Sequence, residues 1–216
     1  MERVSRSLGI SESQTDIREE SVMDGGVRMP YPMVTAKRDL AGEACILSIH
    51  SMIARTLPDL GTHCRRVADL VFRTAMCLGA DGTEEMCNAA LVHDVGKLFI
   101  DPAILEKRSA LFPRERIQID LHSVIGYMYL RTRDVPDSTA QMVLLHHGYK
   151  KETCGHADGK SPNLGADIIR VCDIYDAVTN DRPYHKAVSP GEAIEILSAQ
   201  PEPLSEEILR AVRMSI

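Results

Sequence analysis

From about residue 38 onward, apolar positions recur with a three-and-four spacing, and strand-like alternation is nearly absent. The spacing predicts helices over 38–56, 62–79, 83–97, 113–132, 137–147, 165–180, 189–199 and 204–214, so the expected fold class is all-α. Start signals agree: Thr83 precedes Glu84 and Glu85, Pro113 precedes Glu115, and Ser189-Pro190 precedes Gly191-Glu192. Residues 1–37 hold Gly25-Gly26, Pro30 and Pro32 and show no period. They are expected as an irregular leader to a helical domain over 38–216. A second irregular stretch, "GYKKETCGHADGKSPNL" at 148–164, is long enough to suggest a functional or mobile loop rather than a simple connection.

The predicted helix faces are not purely apolar. In "NAALVHDVGKLFI", residues 88–100, a core-like run is broken by His93, Asp94 and Lys97. Helical spacing puts Met86, Ala90, His93 and Lys97 on one face, with Asp94 beside it. His63 shares a face with Val67 and Leu70, and His122 with Ile119, Ile125 and Tyr129. His146 and His147 end the run "MVLL", and Asp173 lies one turn from both Ile169 and Asp176. Each of these alone reads best as a hydrogen-bonded core residue. Together they are hard to satisfy by mutual hydrogen bonds, because burying an unpaired charge costs several kcal/mol. A cluster of divalent ions would satisfy them jointly, with neutral imidazoles offering lone pairs and Asp94 bridging two ions.

Composition narrows the function classes. The chain is 44% apolar and 26% charged, as in ordinary globular proteins. Only 4% is aromatic, with no Trp, which argues against a stacking platform for single-stranded nucleic acid. The formal charge of −6 argues against a general nucleic-acid binder. No apolar run is long enough to span a membrane, and the first 30 residues lack the apolar core of a signal peptide. The six cysteines form no CxxC pair, so zinc-finger and thioredoxin-like readings fail. They are expected as free thiols, mostly core residues, in a cytoplasmic protein.

The ordered set of motifs resembles the HD superfamily of metal-dependent phosphohydrolases, and within it the HD-GYP family. His93-Asp94 with Gly96-Lys97 resembles its HDxGK signature, "HCRRV" at 63–67 its first histidine segment, and "LHSVIG" at 121–126 the helix that follows. His146-His147 resembles its paired histidines, and "DIYDAVTNDRPYHKA" at 173–187 its C-terminal signature. The likeness covers about residues 50–200 and implies an HD-domain helical bundle around a multinuclear metal site.

The resemblance implies one ion held by His63, His93, Asp94 and Asp173, and a second by Asp94, His122, His146 and His147, with a bridging hydroxide as nucleophile. Ligation by imidazole and carboxylate suits Fe or Mn. Lys97 would neutralise charge developing on the phosphoryl oxygens, the alternative being a salt bridge to a surface Glu. Arg182 would contact substrate phosphate, or else pair with Asp176 or Asp181. Asp59, one turn before His63, stands where some members carry a Glu that ligates a third ion. Its other reading is an N-cap or loop residue.

The implied substrate is a cyclic dinucleotide, cyclic di-GMP first and cyclic GMP-AMP second, with a diguanylate-cyclase (GGDEF) domain as a candidate partner. The expected regulatory input is a partner or the leader, since 37 residues are too few for a sensor domain. A non-catalytic metal-bound regulatory module and a diiron oxygenase are the competing classes. One departure stands out: Gly148 follows His147 where the family usually has Glu, and no Gly-Tyr-Pro motif occurs.

Overall fold

The computed structural model describes residues 40–148, 163–181, 186–200 and 204–216. The leader over 1–37, most of the 148–164 loop and Arg182 lie outside the described residues. Among those described there are helices and no strands, so the all-α expectation holds. In chain order they are α1 (Leu40–Thr56), α2 (Pro58–Leu78), α3 (Thr83–Val92), a 3-10 turn (Val95–Phe99), α4 (Pro102–Leu105), α5 (Pro113–Asp120), α6 (His122–Leu130), α7 (Asp137–Leu145), α8 (Leu164–Thr179), α9 (Pro190–Ser198) and α10 (Glu206–Ser215). None is long and apolar enough to cross a membrane.

The long helix α2 is the centre of the bundle. Pro58 opens it with a ring pre-set for helical φ, and Gly79 ends it at φ 62°, a left-handed turn that favours glycine. Its buried stripe holds Val67, Ala68, Leu70, Val71 and Ala75 and packs against α1, α3, α8 and α10. Fully burying each of the larger aliphatic side chains stabilises the bundle by about 1.5–3 kcal/mol. Gly61 lets α1 and α2 touch, since a Cβ there would lie 2.5 Å from Ala54 Cα. Ser189 and Ser205 accept the backbone N–H of Glu192 and Ile208, capping α9 and α10. Thr83 instead starts α3 as its first residue, and its hydroxyl donates to Ala80 O.

Two expected helices are broken, both beside the polar residues singled out above. The predicted helix 83–97 ends at Val92, and the chain continues as a 3-10 turn from Val95. Residues three apart eclipse in a 3-10 turn, so Lys97 stands over Asp94 rather than one turn beyond it on a helix face. The predicted helix 113–132 breaks at Leu121 into α5 and α6. A four-residue helix, α4, was not expected.

The 3-10 turn lies against the start of α6, and glycine makes this contact feasible. A Cβ on Gly96 would lie 1.9 Å from His122 O and 2.8 Å from Gly126 N, both backbone atoms with little room to move. Gly96→Ala is therefore expected to cost about 2–3 kcal/mol, read by urea denaturation. Gly191→Ala in α9, where nothing lies within 4 Å, is the control and is expected to be neutral or slightly stabilising.

Candidate metal centre

The break after α3 determines where the central carboxylate goes. Asp94 has φ −98° and ψ 12°, off the helical path, and its side chain turns into the bundle, leaving the residue 1% exposed. Around it lie His63 from α2, His93 at the end of α3, His122 at the start of α6, His146 at the end of α7 and Asp173 from α8. His122 Nε2 is 3.1 Å from Asp94 Oδ1, and His93 Nε2 is 3.5 Å from Oδ2. His63 Nε2 lies 3.0 Å from Asp173 Oδ1 and 3.9 Å from Asp94 Oδ2. Lys97 Nζ donates to Asp94 Oδ2 at 2.5 Å.

Hydrogen bonding on the far side of the rings fixes how they present themselves. His93 Nδ1 lies 2.7 Å from Ala90 O, His122 Nδ1 2.5 Å from Ile119 O, and His146 Nδ1 2.7 Å from Val143 O. A carbonyl only accepts, so each Nδ1 carries the proton, and in the neutral ring Nε2 is left with its lone pair. All three residues sit just past a helix C-terminus and bond a carbonyl of its last turn, where backbone acceptors run short of partners. At His93 and His146 those helix ends carry partial negative charge, which favours a cation.

The inward-facing atoms then make an arrangement the side chains alone do not satisfy. His122 Nε2 and Asp94 Oδ1 face each other as two acceptors, as do His122 Nε2 and His146 Nε2 at 3.4 Å. His147 Nε2 is 2.9 Å from His122 Nε2. Among the described residues, buried His93 Nε2 and Asp94 Oδ1 have no hydrogen-bond partner. Three overlapping sets among the described residues have donor atoms all within 4.8 Å of one another: His63/His93/Asp173, His93/Asp94/His146 and His122/His146/His147. Convergent lone pairs and two orphaned buried acceptors fit divalent cations.

His50 shows the opposite case. It is as buried as the others, but its Nδ1 donates to Leu91 O at 3.2 Å and its Nε2 accepts from Arg65 at 3.3 Å. Both nitrogens are used, and it is a structural core residue.

Charges follow the same geometry. Burial pushes His93 below the ordinary imidazole range, and burial together with His147 holds His146 far below it. Burial, with His122 beside it, brings His147 down to about 4, although its outer face is exposed and leaves the cluster open to solvent there. Burial opposes a charge on His63, but the bonds to Asp173 and Asp176 outweigh it and hold the ring at about 9. Burial would raise Asp94, yet Lys97 and the neighbouring imidazoles keep it well below the usual carboxylate range.

Asp59 is exposed in the first turn of α2 and belongs to none of the converging sets. Lys97 pairs with Asp94, the cluster's own carboxylate, rather than with a surface Glu. Cys64, Cys87 and Cys172 are buried free thiols, whereas Cys77 is exposed. Two residues outside the expected set prove to belong beside it: Asp176, bonded to His63, and Arg66, which donates to Asp176. Their sequence signal was the repeat of polar residues three apart on facing helices, His63/Arg66 and Asp173/Asp176.

Residues 48–202 match the family model of the HD domain. The chain belongs to the HD domain family. This HD domain is 33% identical over 127 residues to a cyclic di-GMP phosphodiesterase of Pseudomonas aeruginosa, covering 57% of the chain and 30% of that protein. It is 29% identical over 161 residues to a 3'3'-cGAMP-specific phosphodiesterase of Vibrio cholerae, covering 72% and 35%. To a cyclic di-GMP phosphodiesterase of Thermotoga maritima it is 31% identical over 179 residues, covering 77% and 47%. The chain thus spans a third to a half of the length of these relatives. The HD domain of the L. monocytogenes phosphodiesterase PgpH, crystallised with cyclic-di-AMP, shares the fold at a TM-score of 0.60 and 19% identity, over 78% of this chain and 92% of that one.

Asp94 presents its two oxygens to different neighbours, His122 on one side and His93 with Lys97 on the other. Asp94→Ala is accordingly expected to remove most bound metal while leaving the helical content intact. Elemental analysis of anaerobically purified protein reads this, and a variant as metal-rich as the parent would refute the central role of Asp94.

Proposed function

We propose that this HD domain is a metal-dependent phosphodiesterase that opens a cyclic dinucleotide, cyclic di-GMP first and cyclic GMP-AMP second. The observation that carries the reading is the convergence of imidazole Nε2 atoms on the buried Asp94, whose two oxygens face His122 and His93. Relatives named for each of the two substrates support the choice of substrate class.

The proposed centre has two divalent ions, one at His63, His93, Asp94 and Asp173, the other at Asp94, His122, His146 and His147. In support, the sets containing His63 and His147 flank the one containing Asp94. The nitrogen and oxygen donors favour Fe or Mn, with no thiolate among them. The geometry gives no support to a third ion at exposed Asp59. Bound there, the ions supply Lewis acidity toward a phosphoryl oxygen and a water made nucleophilic near neutral pH.

The chain's own residues do the rest. The Nδ1–H bonds of His93, His122 and His146 hold their rings in orientation before substrate arrives. Lys97 steadies Asp94 and brings positive charge to the place where the phosphoryl group gains negative charge. Arg182, a fork suited to a second phosphate, is proposed as a substrate contact from its sequence position alone.

A side-by-side chromatographic time course on cyclic di-GMP and 3'3'-cGAMP, with metal-loaded protein and Asp94→Ala as blank, tests the reading. Hydrolysis of at least one is expected. A fully metallated sample that binds but cleaves neither would make the chain a nucleotide-sensing module instead. Lys97→Ala is expected to keep fold and metal and to lose about 10²–10³-fold in turnover. An unchanged rate for that variant would remove Lys97 from the chemistry.

A further inference from the structure

The ligand rings of the centre are supported in two ways. His93, His122 and His146 lean on helix-end carbonyls, whereas His63 is held by a second carboxylate from α8. Asp176 lies one turn beyond Asp173, so α8 grips the His63 ring from both sides: Asp173 Oδ1 at Nε2, 3.0 Å, and Asp176 Oδ2 at Nδ1, 2.6 Å. Asp176 is itself tied in place. Arg66, one turn after His63 on α2, donates to it twice, from Nε at 2.6 Å and Nη2 at 2.8 Å. Asn180, just past the end of α8, donates to Oδ1 at 3.0 Å.

A carboxylate has about four lone-pair positions. Here Oδ1 accepts from Arg66 and Asn180, and Oδ2 from Arg66 and His63. Asp176 is therefore saturated on the side of the ring facing away from the ligand cluster, and it could bind an ion only by giving up one of these bonds. We propose that Asp176 is a positioning residue that fixes the orientation and proton position of His63, with Arg66 and Asn180 as its anchors. It thereby sets the affinity of one ion of the pair and not of the other. A metal-bound imidazole is oriented, and made a better donor, by an acceptor on its other nitrogen, and losing such an acceptor typically weakens metal binding about 10–100-fold.

The inference rests on the two-ion reading above, and Mn²⁺ titration of the whole chain, followed by the free-ion EPR signal, separates the two. The parent chain is expected to bind two ions. Asp176→Ala is expected to weaken one of them about 10–100-fold and to spare the other, whereas a general loss of packing would weaken both. A cavity of about 460 Å³, lined by Arg66, Arg73, Tyr175, Thr179 and Asn180, reaches Asp176 from outside. Formate added to Asp176→Ala is therefore expected to restore the weakened site. Asp176→Asn keeps the shape but cannot accept all four bonds, and it is expected to show the same one-ion loss. It decides the matter if the alanine variant does not fold. Unchanged affinities, equal weakening of both ions, or a loss that formate does not restore would overturn the role of Asp176. A parent chain that binds no ion would overturn the two-ion reading and this inference with it.

Discussion

A carboxylate buried among helices that bring histidines rather than arginines is the constraint on which this molecule turns. Asp94 is 1% exposed, and the side-chain cation against it is Lys97. One ammonium satisfies one oxygen and leaves Oδ1 without a hydrogen-bond donor. An unsatisfied buried charge of this kind costs several kcal/mol, so the bundle is arranged around a group that fits best beside further positive charge. The surrounding backbone serves that placement. The chain leaves the α-helical path after α3, the 3-10 turn sets Lys97 over Asp94, and Gly96 lets the turn rest against His122 O.

The contrast between His50 and His93 shows why burial alone does not mark a ligand. Both rings are almost fully buried, and both use Nδ1 to bond a backbone carbonyl. His50 then spends its Nε2 on Arg65, whereas His93 Nε2 has no partner among the described residues. The distinguishing property is the second nitrogen. It depends on which side chain another helix brings across, so a single helix face read from sequence does not contain it.

That limit describes what the sequence could and could not tell. The period of apolar residues located all the longer helices, because burial of one face is what stabilises them. The breaks at His93–Asp94 and at Leu121 were missed, since neither has a proline or glycine at the break itself. Their cause is tertiary: the turn must reach α6, and His122 must reach Ile119 O. The histidines and acids that converge were legible from their inward positions and their motif order. Asp176 and Arg66 were not, because a polar residue one turn from a candidate ligand reads equally well as solvated surface. Only the packing of α2 on α8 makes them a pair.

The packing also gives the ligands of the centre different mechanical characters. His63 and Asp173 lie inside α2 and α8, long helices locked by Arg66, Asn180 and Asp176 into a network of charged hydrogen bonds. His93, His122 and His146 sit at helix ends, and their rings are held by single bonds to the carbonyls of a last turn. Helix interiors open only with much of the structure, whereas termini open locally at small cost. The exposed face of His147 lies on the helix-end side. A substrate approaching the open face would therefore meet ligands able to adjust, while α2 and α8 keep His63 and Asp173 in register. A metal centre that must bind its ions firmly and still admit a phosphodiester needs both properties, and here they come from where along each helix the ligands are placed.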